Sequence, residues 1–203
     1  MTNSDGLPVE WDSGTAYDLF ASLHVLHASE RYGLRGSWAA GVRSRLPVAA
    51  RDCLQRVIHV MRPLSGVYAL PVPKDAAAAL AALREMPPIE RLAALFPDRP
   101  DGVKRILRSV AVRGAWRDED LARIIAPMQK GEWGNQTLAT VRKEAAELLD
   151  VWADPIGSAD GVLAALECYH ESFFEEEEAR IRPALDAALA RAQQLAAQLP
   201  QPA

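Results

Sequence analysis

The sequence predicts an all-α fold, a bundle of seven to nine helices joined by short turns. Three observations predict it. Apolar residues recur at three- and four-residue spacing through most of the chain, which is the helical period. Only 6% of residues are aromatic although 49% are apolar, so Ala and Leu, both strong helix formers, supply most of the core. Proline and glycine fall between the apolar stripes, with no β-α-β alternation and no repeat of fixed period. The 203 residues fit one domain with at most a small appendage.

Residues 1–12 read as a flexible leader, polar and acidic, without the apolar stretch of a signal peptide. The span Thr15–Arg31 carries Tyr17, Phe20, Leu23, Val25 and Leu26 at helical spacing, with Asp12 and Ser13 as candidate N-caps and Gly33 as its stop. A second helix holds Trp38, Val42 and Leu46 and ends before Pro47; a third covers Val48–Met61. Pro63–Pro73, with Val67, Tyr68, Leu70 and Val72, is the one β-like stretch, and its prolines make it an extended connector. Short helices then follow over Asp75–Glu85, Pro88–Phe96, Asp101–Val112 and Asp118–Met128. A longer one spans Asn135–Trp152 and breaks at Asp154-Pro155, after which Ser158 or Asp160 caps the last helix.

That last helix runs from about Gly157 to Leu199. Leu163, Leu166, Phe173, Phe174 and Ile181 are expected to dock it on the domain. Pro183 removes a backbone hydrogen bond and is expected to kink it. Beyond the proline, Leu185, Leu189, Leu195 and Leu199 form a narrow seam at roughly heptad spacing, the pattern of a helix that meets a second helix. The chain therefore divides into a leader (1–12), a helical domain (13–182) and a helical extension (183–203).

Net charge is −4, which argues against this chain gripping a nucleic acid by itself. The two cysteines, Cys53 and Cys168, lie far apart, as suits a reducing cytoplasm, and no stretch has the apolar length of a membrane span. No nucleotide-binding glycine loop and no nucleophile elbow occurs, so the chain is expected not to be an enzyme and to need no cofactor.

Two clusters carry coordinating chemistry. His24, His27 and Glu30 fall three residues apart on one helical face, a spacing that could suit a metal, but a partly exposed polar face is the favoured account and no metal is expected. Glu167 and His170 form one Glu-x-x-His pair, but a di-iron centre needs two. His170, Glu171 and Glu175 leave a small helical metal-carboxylate protein or enzyme as an alternative, and a ligand-free interaction module as another. The acidic run Glu175–Glu178 reads as a solvated face that pairs with Arg180 and Arg182 four residues on, each pair contributing about a few tenths of a kcal/mol. Trp38, Trp116, Trp133 and Trp152 are candidates either for helix packing or for lining a pocket that takes a small apolar effector.

The opening VEWDSGTAYDLFASLHVLH, followed by RYGL and WAAGVRSRLP, resembles the N-terminal region of bacterial ArsR-type transcriptional regulators. The segment YHESFFEEEEARIRPALDAALARAQQLA resembles the helix that follows in those proteins. The likeness covers the two ends of the chain, and residues 65–155 do not share in it. It implies a sensor and dimerisation domain that forms a homodimer and precedes a winged helix-turn-helix. No winged helix-turn-helix is present here, and the thiolate motif of the metal-sensing members is absent. The resemblance therefore implies that DNA recognition belongs to a domain missing from this chain.

Overall fold

The computed structural model describes residues 13–61, 63–70, 74–96, 100–128 and 137–198. Among them every regular element is helical. In chain order these are α1 (Ala16–His27), a 3-10 turn (Ser29–Tyr32), α2 (Gly36–Arg45), α3 (Val48–Val57), α4 (Pro63–Tyr68), α5 (Ala76–Glu85), α6 (Pro88–Leu95), α7 (Asp101–Arg113), α8 (Asp118–Met128), α9 (Leu138–Ala153), α10 (Pro155–Tyr169) and α11 (Glu175–Gln198). A π-helical turn, His170–Phe174, joins α10 to α11 in one continuous rod. Counting that rod once gives ten helices among the described residues, one beyond the expected range.

The additional helix is α4. Pro63–Pro73 was expected to be extended, and its first six residues are helical instead. Proline at the first helical position costs no hydrogen bond. Gly66 lies so close to the backbone of Ala94 on α6 that a Cβ would overlap the Ala94 carbonyl. Val67 and Leu70, three apart, are both buried. Packing overrides the β-propensity of the segment. Val72 and Pro73 lie outside the described residues, as do the proposed leader, Asp12 and Asn135.

Two caps also differ from expectation. Thr15, not Ser13, precedes α1, and its hydroxyl is committed elsewhere rather than to the first turn. Pro155 opens α10, and the Asp154 carboxylate accepts the Gly157 amide at 3.0 Å, ahead of Ser158 and Asp160. Gly114, at φ 67°, takes the left-handed conformation that ends α7 and turns the chain into α8.

Packing centres on α10. It lies against α3, α5, α6 and α9, burying Ala159, Val162, Leu163, Ala165, Leu166 and Tyr169. α7, α8 and α9 pack on one another, and α1 packs against α2, α4 and α5. Phe173 and Phe174 are buried and Ile181 half-buried, so the aromatic section of the rod docks on the domain. Pro183 lies inside α11, which continues to Gln198.

One charged side chain is central to this packing. Arg91 on α6 is only 6% exposed. Its guanidinium donates to the carbonyls of Leu83 (2.7 Å), Arg84 (3.1 Å) and Met86 (3.1 Å), which closes the C-terminal end of α5. The remaining arm reaches Asp160 of α10 at 2.6 Å. A planar fork is the one side chain that serves this many acceptors at once. Arg91→Ala is expected to lower stability by about 3 kcal/mol, because buried carbonyls lose their donors. Arg91→Lys is expected to recover less than half of that loss. Urea denaturation followed by circular dichroism measures both.

Candidate functional site

A cavity of about 980 Å³ opens where the end of α1, the 3-10 turn, α2 and the start of α9 converge. α1 contributes His24 and His27, and the turn contributes Glu30 and Arg31. Arg43 enters from α2, His59 from just beyond α3, and Thr140 and Glu144 from α9. The sequence trio His24, His27 and Glu30 thus shares one groove. Among the described residues, however, no group of three or more His, Cys, Asp or Glu is placed to hold a metal ion. Arg43 and His59 carry no local signal, because only the fold brings them to α1.

The tautomer of His27 follows from its neighbour. Nδ1 stands 2.9 Å from the Leu23 carbonyl, which can only accept, so Nδ1 carries the proton. Nε2 is buried and has no hydrogen-bond partner among the described residues. Burial lowers the His27 pKa; the bond to Leu23 opposes this, and the positive charges of Arg43 and His59 lower it further. Arg43 donates to the Leu26 carbonyl at 3.3 Å and faces no carboxylate among the described residues.

A second polar cluster fastens the rod to the domain. Glu178 is 7% exposed. It accepts from the Thr15 hydroxyl, from Arg182 at 2.6 Å and from His170 across 3.3 Å. Thr15 also accepts the Ala76 amide at 3.0 Å, and Arg182 reaches Asp75 at 2.9 Å. Both hydrogen-bonded carboxylates raise the pKa of Arg182. The expected Glu178–Arg182 and Glu176–Arg180 pairs are both present. Glu178, however, is not on a solvated face: the acidic run turns one carboxylate inward and leaves Glu175 and Glu176 exposed. Glu167 pairs with Arg84 at 2.7 Å, and Glu171 and Glu175 are exposed, so the other carboxylates around His170 do not converge on it. Next to the cluster, Tyr169 is buried with its hydroxyl 2.9 Å from Ser22 of α1, and burial pushes the phenol pKa upward.

The tryptophans sit at separate helix junctions. Trp38 packs edge-on to Phe173, with ring centres 6.0 Å apart. Trp116 donates to Asp150 at 2.7 Å. Trp152 is buried in the core, and Trp133 lies outside the described residues. Cys53 is half-buried beside a smaller cavity of about 290 Å³, and burial raises its thiol pKa. Cys168 is half-buried with its Sγ 3.8 Å from the Ser172 hydroxyl.

Along α11, Glu178 is the last buried residue. Past it Leu185 is 38% exposed and Leu195 53%, while Leu189, Ala192 and Ala196 are half-exposed on the same side. Leu199 lies outside the described residues. No described helix is long and apolar enough to cross a membrane. No family model, curated protein or solved structure matches the chain.

Two outcomes follow from this geometry. Glu178→Ala strands the Arg182 and Thr15 donors and is expected to destabilise the fold by about 2–4 kcal/mol in urea denaturation, with Glu178→Gln costing less. For His27, the folded pKa lies below the unfolded one, so below about pH 6.5 the unfolded chain binds more protons. Stability contributed by this site is therefore full above that pH and falls as the solution is acidified. His27→Gln is expected to reduce the drop in denaturation midpoint between pH 7.5 and pH 5.

Proposed function

We propose that this chain is the effector-binding and dimerisation domain of a bacterial transcriptional regulator, with DNA recognition carried by a separate winged-helix domain. The observation that carries this reading is the far half of α11. After Arg182 the rod continues as helix with an apolar seam, Leu185, Leu189, Ala192 and Leu195, exposed or half-exposed. Isolated helices of this length are marginal in water, so a partner that covers the seam supplies the missing stabilisation. The likeness of both chain ends to ArsR-type regulators supports a second copy as that partner. The groove at α1 is the site proposed for the effector. In this reading the protein is cytoplasmic, acts without catalysis and meets DNA only through the other domain.

Sedimentation velocity tests the dimer. The chain is expected to sediment as a homodimer at micromolar concentration, and Leu189→Lys to yield a folded monomer. A wild-type chain that stays monomeric at high concentration would remove the dimerisation half of the reading.

A further inference from the structure

We infer that the groove between α1, the 3-10 turn, α2 and α9 binds a small organic oxyanion, held by Arg43 and by a proton that His27 takes up on Nε2. The inference rests on the effector-binding half of the proposed function and not on dimerisation. It changes the effector chemistry expected from the sequence, because the groove is lined mostly by polar and charged residues and not by the tryptophans.

The groove, at about 980 Å³, has the size of a small-molecule site. Arg43 is half-buried and meets one carbonyl and no carboxylate among the described residues. A guanidinium drawn partly out of water without a counter-charge is an oxyanion partner in waiting. His27 lines the same groove, its Nε2 is buried and unpartnered, and Nδ1 is fixed as a donor to Leu23. Burial first, and then the neighbouring Arg43 charge, favour the neutral His27 ring. Among the other charged groups on the walls, Glu30 and Arg31 stand exposed, and Glu144 on α9 and His24 take part in interactions of their own. An oxyanion reverses the sign of the local potential. It accepts from Arg43 and stabilises His27 with both nitrogens protonated, the second proton coming from solvent and hydrogen-bonding to the anion.

The full chain is titrated with sodium citrate and with sodium phosphate at constant ionic strength. The histidine side-chain resonances are followed by NMR, and the heat is measured in two buffers of different ionisation enthalpy. Saturable movement of the His27 resonances with net proton uptake is expected for at least one anion. Citrate alone marks a carboxylate effector, and phosphate alone a phosphate ester. Arg43→Gln is expected to weaken binding about tenfold or more, the loss of one charge-assisted hydrogen bond. His27→Gln is expected to bind more weakly, through Arg43 alone, and to abolish the proton uptake, so a poorly folded Arg43 variant leaves an independent readout. Non-saturable shifts of equal size in wild type and Arg43→Gln overturn the proposal, since they are the general effect of excluded salts. So does saturation by zinc chloride with no response to either anion. Sedimentation of the same samples separates the two readings: a monomer that binds citrate removes only the dimer, and a dimer that binds neither anion removes only the groove.

Discussion

Burial of α10 on a wide arc is the constraint on which the rest of the molecule depends. A helix that packs on α3, α5, α6 and α9 together needs small residues where backbones approach and large ones where they diverge, and α10 alternates Ala159 and Ala165 with Val162, Leu163, Leu166 and Tyr169. Its entry is pinned by Asp154 and Pro155. Its flank is tied by Asp160 to Arg91, the residue that also closes α5. A change in the pitch of α10 would be felt at four neighbouring helices, which makes it the rigid reference against which α1 and α11 are placed.

The π-helical turn explains how a single rod serves two environments. One extra residue in a helical turn sets every later position back by about 100°, the rotation of one residue. In an uninterrupted α-helix, Phe174 and Glu178 would point well away from Tyr169. With the turn at His170–Phe174, both phenylalanines are buried beside Tyr169, and Glu178 faces Thr15 and the start of α5. A carboxylate taken out of water needs donors, and it receives them from three elements: Thr15 before α1, His170 in the turn and Arg182 on α11. The register shift therefore converts a charge that ordinary periodicity assigns to solvent into the bolt that holds the rod to the domain.

The helical class and most helix positions were legible because they follow from local periodicity and punctuation. α5 to α8 fall within a few residues of where their proline and glycine boundaries place them. What was not legible depends on contacts distant in sequence. α4 is helical because Gly66 meets Ala94 on α6, which no window around Pro63 contains. The inward turn of Glu178 depends on a π insertion that leaves no mark in the residue pattern. At the groove, the adjacency of His24 and His27 was visible as helical spacing, whereas the charges that give His27 its chemistry, Arg43 and His59, arrive from other segments. The tryptophans were read mainly as packing anchors, with pocket lining as the alternative, and the described ones, Trp38, Trp116 and Trp152, pack at different places.

The groove and the rod both meet α1. α1 carries His24 and His27 near its C-terminal end, Ser22 bonded to Tyr169 at its middle, and Thr15 bonded to Glu178 at its start. Coupling between two sites requires that each ligand make different contacts in two arrangements of a common element. α1 touches both places, and so does α2, which lends Arg43 to the groove and packs Trp38 on Phe173. The other main contacts of α1 are with α2, α4 and α5. A shift of α1 along the surface of the rod thus disturbs two hydrogen bonds, Ser22–Tyr169 at the end of α10 and Thr15–Glu178 on α11. This gives occupancy of the groove a short physical route to the helix whose far end carries the exposed seam.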